Sequence, residues 1–195
     1  MVDTLIQLVI LFFVIFDPLV SFVVFLSSTS KMKIDEKRST AILAVTVAAA
    51  LSYAVLFLGT NLLSLFDTNL SDFKVAGGIV LSMLGIKMVM GQSLAQSSSE
   101  GVGESSVRAI ASIIGTPPLT GPAAISAIIM SVTDYGIFYT GAAVTIVLVF
   151  TAVLFLESYR LKEFMSKTTT QVLSTVLGLI TLAWGVGFIR AGLGI

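Results

Sequence analysis

The sequence predicts an all-α, polytopic membrane protein with six transmembrane helices, arranged as two inverted three-helix repeats in which helices 1 and 4 are broken at prolines near mid-membrane. Composition is the first observation behind this prediction: 56% of the 195 residues are hydrophobic, 11% are charged, and the mean hydropathy is +1.04. Soluble domains carry about 25% charged residues, so these values together favour a membrane protein. The other two observations are an uneven distribution of Lys and Arg and the confinement of all prolines to two apolar segments.

Six apolar segments are long enough to cross a bilayer, which requires about 20 apolar residues each. The predicted helices run over about Thr4–Ser28, Ser39–Phe66, Asp72–Met90, Val107–Val132, Tyr135–Tyr159 and Thr169–Leu193. The segment 92–106 is polar and rich in Ser and Gly, which is typical of a flexible linker. The chain therefore divides into a first three-helix repeat over 1–91, a cytoplasmic linker over 92–106 and a second three-helix repeat over 107–195.

The basic residues predict the orientation in the cell (inner) membrane. Of the 11 Lys and Arg residues, all except Lys74 and Arg190 lie in or beside the loops 29–38, 91–107 and 160–168. Because cytoplasmic loops carry an excess of Lys and Arg, we expect these three loops in the cytoplasm and both termini outside.

An odd number of helices in each half means that two homologous halves must have opposite orientations in the membrane. At an offset of 100 residues, Pro18 aligns with Pro118, Gly78 with Gly178 and Gly85 with Gly185. The prolines fall in the first helix of each half and the glycines in the third. This spacing favours inverted repeats.

The prolines indicate where the two broken helices restart. A proline inside a helix removes one backbone hydrogen bond, and lipid supplies no water to replace it. Asp17-Pro18 and Thr116-Pro117 each read as an N-cap residue followed by proline at the first helical position. The half-helices that follow Pro18 and Pro117 or Pro122 would run in opposite directions, and their N-terminal ends could meet near the midplane as a site for an anionic group. A small zwitterion would suit such a site, and the candidate substrate-binding residues are Asp17, Pro18, Ser21, Thr116, Pro117, Thr120, Gly121 and Pro122.

Several of these residues also have a purely structural interpretation. Asp17 has two possible roles. It is a capping residue only, or it is also the ion-coupling residue, which takes up a proton during transport. A charged residue in mid-membrane is by default functional or paired. Small residues let membrane helices approach closely, so a second set is predicted to pack helices or to line the site: Ala76, Gly77, Gly78, Ser126, Gly178 and Gly185. The chain contains no Cys and no His, so we expect no thiol or imidazole chemistry, no metal site, no catalytic residue and no enzyme activity.

Three stretches resemble the MarC family of integral membrane proteins: FDPLVSFVVFLSS, LSDFKVAGGIVLSMLGIKMVMG and IGTPPLTGPAAISAII. The resemblance covers nearly the whole chain. It implies a six-helix membrane protein, some of whose relatives take up glycine, alanine and similar amino acids on an ion gradient. Val20, Ser21 and Val23 stand where the family often has Gly, Asn and Pro, and the family also has Asn at the position of Asp17. Because Asn cannot carry a proton, this favours capping and substrate orientation as the role of Asp17.

These observations together predict a secondary active transporter that moves small neutral amino acids by alternating access, coupled to H⁺ or Na⁺. The alternatives are a membrane scaffold or regulatory protein that does not transport, and an exporter of metabolites or drugs with the same architecture. The expected partners are the amino acid, the coupling ion, the lipid bilayer and further copies of the chain in a homo-oligomer. We expect neither a cofactor nor a nucleic acid.

Overall fold

The computed structural model describes residues 2–29, 32–65, 67, 69–90, 121–161 and 167–195. These residues form helices and no strand, with the bounds α1 Val2–Phe16, α2 Pro18–Ser28, α3 Ile34–Leu65, α4 Leu70–Val89, α5 Pro122–Tyr135, α6 Ile137–Leu156, α7 Ser158–Leu161 and α8 Lys167–Leu193. The predicted linker 92–106, the candidate site residues Thr116, Pro117 and Thr120, and the repeat proline Pro118 lie outside the described residues.

Three stretches within the described helices are long and apolar enough to span a bilayer: Ile34–Gly59, Ile137–Leu156 and Thr175–Leu193. Asp3–Phe16 and Ala123–Tyr135 are shorter apolar helices. Large apolar side chains point outward on these helices, among them Phe57 at 60% and Phe138 at 79% exposure. A surface of this kind fits contact with lipid, and the predicted polytopic all-α membrane fold is confirmed.

The start predicted for the second helix, Ser39, is wrong. Helix α3 already begins at Ile34, so Asp35 and Glu36 are helical residues rather than part of a loop. The Lys33 backbone N–H donates to Glu36 Oε2 over 3.0 Å, and the Lys33 carbonyl oxygen accepts from the Lys37 N–H over 3.0 Å. A Glu three residues after the N-cap position stabilises a helix start in this way, and early acidic residues suit the helix dipole. Hydropathy locates the membrane boundary, whereas the cap locates the helix boundary.

The helices define two ends of the bundle. At the N-terminal end, where α1 begins, the α4 start is joined to the α5 end by an ion pair between Lys74 and Asp134, and Gly136 with φ +83° links α5 to α6. At the basic end, the α3 start with Lys37 and Arg38 lies beside Glu157, where α6 has ended.

Helices α4 and α8 run antiparallel and form the most extensive helix contact of the described structure. A Cβ atom built on Gly78 would lie 2.5 Å from the Gly185 carbonyl oxygen, and one built on Gly85 would lie 2.7 Å from the Gly178 carbonyl oxygen. In a third contact, a Cβ atom built on Gly192 would lie 2.6 Å from the Ser71 carbonyl oxygen. The contacts recur every seven residues on both helices, so the two backbones approach closely along one seam, and each contact includes at least one glycine.

The second half of α1 and the start of α2 are buried in the bundle, whereas Ile6 and Ile10 near the start of α1 are exposed. The side chains of Phe12, Phe16, Phe22 and Phe25 are at most 1% exposed. Phe25 stacks on Phe155 of α6 with ring centroids 4.6 Å apart. The junction between α1 and α2 is therefore enclosed by protein, as a broken helix in a membrane requires.

Candidate functional site

The candidate site is built around the interruption between α1 and α2 at Asp17. The Asp17 N–H donates to the Phe13 carbonyl oxygen over 3.1 Å, and its φ is +42°, in the left-handed region. A left-handed residue with this hydrogen bond closes a helix at its C-terminal end. The Asp17 carbonyl oxygen then accepts from the Ser21 N–H over 3.0 Å, which is the first backbone bond of α2. One residue thus ends α1 and starts α2. It does so with a positive φ instead of the extended backbone that is typical of an N-cap residue.

The polar groups at this break are buried. Asp17 is 8% exposed and Ser21 is 0% exposed. The Ser21 hydroxyl donates to the Phe16 carbonyl oxygen over 3.3 Å, one of the acceptors that the interruption leaves at the end of α1. Pro18 occupies the first position of α2, where its missing N–H costs nothing.

A second helix start lies at Gly121-Pro122. Gly121 has an extended backbone with φ −66° and ψ 177°, and its carbonyl oxygen accepts from the Ala124 and Ile125 N–H groups over 2.9 and 3.1 Å. The first buried residues of α5, Ala123 and Ala124, belong to the same apolar cluster as Phe16. The two helix starts therefore border one common core.

The residues predicted to pack helices or to line the site lie in three places: in the α4–α8 seam, at the contact between α4 and α5, and on the surface. Gly78, Gly178 and Gly185 lie in the α4–α8 seam, as described above. Gly77 faces α5, where a Cβ built on it would lie 2.8 Å from Ser126 Cβ, and Ser126 is 7% exposed. Ala76 is exposed.

A cavity of about 330 Å³ opens at the N-terminal end of the bundle. It is lined by α1, α5 and α8, through Gln7, Leu8, Ile10, Leu11, Ser131, Asp134, Tyr135, Trp184 and Phe188. Leu11 precedes Asp17 by six residues, so the wall formed by α1 ends about 9 Å along the helix axis from the break.

These cavity residues are not among the site residues predicted from the sequence. Weak signals were present: Gln7 is a polar residue in an apolar helix, Trp184 is the only tryptophan of the chain, and Asp134 is an acidic residue at the end of a span. Nothing in the sequence indicated that these three residues would line one cavity.

The cavity includes one member of the ion pair between α4 and α5. Lys74 Nζ lies 2.8 Å from Asp134 Oδ1 and 3.0 Å from Oδ2. Their side chains are 16% and 37% exposed. In the sequence, Lys74 lies away from the loops that hold most of the basic residues, and the structure shows that its partner is Asp134.

Comparison with known proteins identifies the chain. A family model described as MarC family integral membrane protein matches residues 2–194. The chain belongs to the MarC family. It is therefore an integral membrane protein, which agrees with its apolar, multi-helix structure.

Three curated relatives match the chain along most of their own length. A UPF0056 membrane protein of Buchnera aphidicola (subspecies Baizongia pistaciae) is 30% identical over 192 residues, covering 93% of this chain and 88% of the relative. The UPF0056 membrane protein YhcE of Escherichia coli is 28% identical, with 93% and 87% covered. The UPF0056 inner membrane protein MarC of Citrobacter koseri is 22% identical, with 90% and 87% covered. No solved structure matches the chain.

Proposed function

We propose that this MarC-family protein is a secondary active transporter of small neutral amino acids such as glycine and alanine, rather than an enzyme. The observation that carries the proposal is the interruption at Asp17, where a buried carboxylate and a new helix start lie in the middle of a buried apolar segment. Interrupted helices within the membrane provide substrate sites in many transporters.

The chemistry of the break suits a small zwitterion. The Asp17 carboxylate would attract the ammonium group, and the N–H groups at the start of α2 and α5 would attract the carboxylate. The large buried side chains of Phe16 and Phe22 flank the break, so the substrate side chain must be small. The cavity at the N-terminal end supplies an approach, with Asp134, Ser131 and Gln7 as polar groups along it.

The α4–α8 seam supports the inverted repeat on which alternating access depends. With an offset of 100 residues, Gly178 corresponds to Gly78 and Gly185 to Gly85. Gly78 contacts Gly185, and Gly85 contacts Gly178. If each of these residues is replaced by its equivalent in the other half, the first contact becomes the second. Reciprocal contacts of this kind are a property of a two-fold axis. In the predicted orientation the cavity opens outside the cell, and the transport cycle would open the opposite side by moving one half against the other.

Counterflow of radiolabelled glycine or alanine in proteoliposomes tests the proposal directly. Asp17→Ala removes the ammonium partner and should weaken substrate affinity by about 10- to 100-fold, the usual range for a buried hydrogen bond to a charged group. Asp17→Asn should be milder, because Asn tolerates the left-handed backbone and keeps a hydrogen-bonding side chain. Asp67→Asn is the matched control, since Asp67 also has a positive φ, 49°, but is exposed. It should transport like the native protein.

The same preparation separates the roles of Asp17 and the coupling ion. Uptake driven by a pH gradient and uptake driven by a Na⁺ gradient are measured for the native protein and for Asp17→Asn. Retained counterflow with lost pH-driven uptake would assign proton transfer to Asp17, whereas retention of both would assign orientation alone. If the folded native protein shows no counterflow with any small neutral amino acid, the transport proposal is wrong. A stable protein partner on purification would then favour the scaffold alternative.

A further inference from the structure

A second cavity, about 260 Å³ in volume, lies at the basic end of the bundle, away from the break at Asp17. We call it the basic cleft, and it is lined by Ile34, Lys37, Arg38, Phe155, Leu156, Glu157, Ser158 and Arg160. The first residues of α3 form one wall, and the end of α6 with α7 forms the other. From the sequence, the basic residues of this cleft were predicted only to set the orientation of the chain in the membrane.

The charges of the cleft favour an anion. Lys37, Arg38 and Arg160 supply three positive charges, and Glu157 supplies one negative charge. Glu157 Oε2 lies 3.0 Å from Arg160 Nη1, so its charge is directed to that one arginine. Among the described residues, no carboxylate lies within 4.0 Å of Lys37 or Arg38. Two positive charges of the lining therefore remain without a described acidic partner.

The apolar part of the cleft indicates that the anion belongs to an amphiphile. Ile34 is 56% exposed and Leu156 is 41% exposed, and both adjoin the basic residues. Ile34 begins one helical stretch that is long and apolar enough to span a bilayer, and Leu156 ends another. The cleft thus lies close to the expected membrane boundary, where basic side chains meet phosphate headgroups and apolar side chains meet acyl chains.

We propose that the basic cleft binds the phosphate headgroup of an anionic phospholipid, with Lys37 and Arg38 contacting the phosphate and Ile34 and Leu156 contacting the first part of an acyl chain. A free inorganic phosphate would make the first set of contacts but not the second. This site is independent of amino acid transport.

Lipid titration of the purified full-length protein, followed by native mass spectrometry, tests the proposal. Phosphatidylglycerol should bind more tightly than phosphatidylcholine. Lys37→Gln and Arg38→Gln should each weaken phosphatidylglycerol binding by about fivefold, the effect expected for one basic residue at an anionic surface. Glu157→Gln should strengthen the binding, because it removes the negative charge that engages Arg160. Lys87→Gln is the matched control: Lys87 is exposed in the last turn of α4, outside the cleft, and its loss should leave binding unchanged.

Three outcomes would overturn the proposal. Equal weakening by Lys87→Gln would mean that the whole basic end attracts anionic lipid without a specific site. Equal binding of both lipids would remove the role of charge. Inorganic phosphate that displaces phosphatidylglycerol completely at equal concentration would indicate a free-anion site. Retained helical content and monodispersity of each variant exclude misfolding as the cause of a loss.

Discussion

The α4–α8 seam predicts that two glycines only two residues apart respond to alanine in opposite ways. A Cβ atom on Gly185 would lie 2.7 Å from both the Gly78 carbonyl oxygen and the Ser82 backbone nitrogen. Both are backbone atoms, so they cannot rotate away, and the helices must separate to accept Gly185→Ala. Overpacking of this kind costs about 1–3 kcal/mol. Gly187 has no atom within 4 Å of a built Cβ, so Gly187→Ala should be neutral or stabilise α8 by up to about 1 kcal/mol.

The expected difference between the two variants is therefore about 1–4 kcal/mol in the free energy of unfolding. It is measured by equilibrium unfolding in mixed micelles, following helix content as the denaturing detergent increases. Gly85→Ala should resemble Gly185→Ala, since its Cβ would lie 2.7 Å from the Gly178 carbonyl oxygen and the Leu182 nitrogen. If Gly185→Ala is as stable as Gly187→Ala, the backbones of α4 and α8 are not in close contact, and the proposed glycine seam is refuted.

Three further predictions concern single contacts. In a double-mutant cycle of Lys74→Met and Asp134→Asn, the coupling should be below about 1 kcal/mol and fall with added salt, because Asp134 is 37% exposed; a salt-independent coupling would contradict this. Phe155→Ala should lower the unfolding free energy by about 3–5 kcal/mol, because it empties a buried site stacked on Phe25. Thermal unfolding measures this loss, and a change below about 1 kcal/mol would argue against the stack. Asp67→Gly should be about 1 kcal/mol more stable than Asp67→Ala, since φ is 49° there, and equal stabilities would count against this conformation.

Much of the fold is predictable from local chemistry. Apolar segments of about 20 residues must be helical in a membrane, because no other single segment satisfies its backbone hydrogen bonds there. The interruption at Asp17 was predictable for the same reason, since Pro18 cannot donate a backbone hydrogen bond. Pro122 likewise begins α5. Each of these features depends on residues close together in the chain.

The backbone conformation at Asp17 and the start of α3 were not predictable in the same way. An Asp before a proline is normally expected to be extended, yet Asp17 takes a positive φ because it also closes the helix before it. Hydropathy places the second helix at Ser39, whereas Glu36 caps it at Lys33. In both cases one hydrogen bond across the helix end sets the local structure: Asp17 N–H bonds to Phe13 in α1, and Lys33 N–H bonds to the Glu36 side chain in α3.

The sequence alone determined that this chain spans a membrane as helices and that the first of them breaks at Asp17-Pro18, because solvent and backbone hydrogen bonding act on each segment by itself. Only the tertiary structure decided that Gly78 meets Gly185, that Lys74 pairs with Asp134, and that Gln7, Asp134 and Trp184 share a cavity. Contacts between distant segments depend on the register of packed helices. Many registers satisfy the same apolar pattern, and the close fit of side chains and backbones selects one of them.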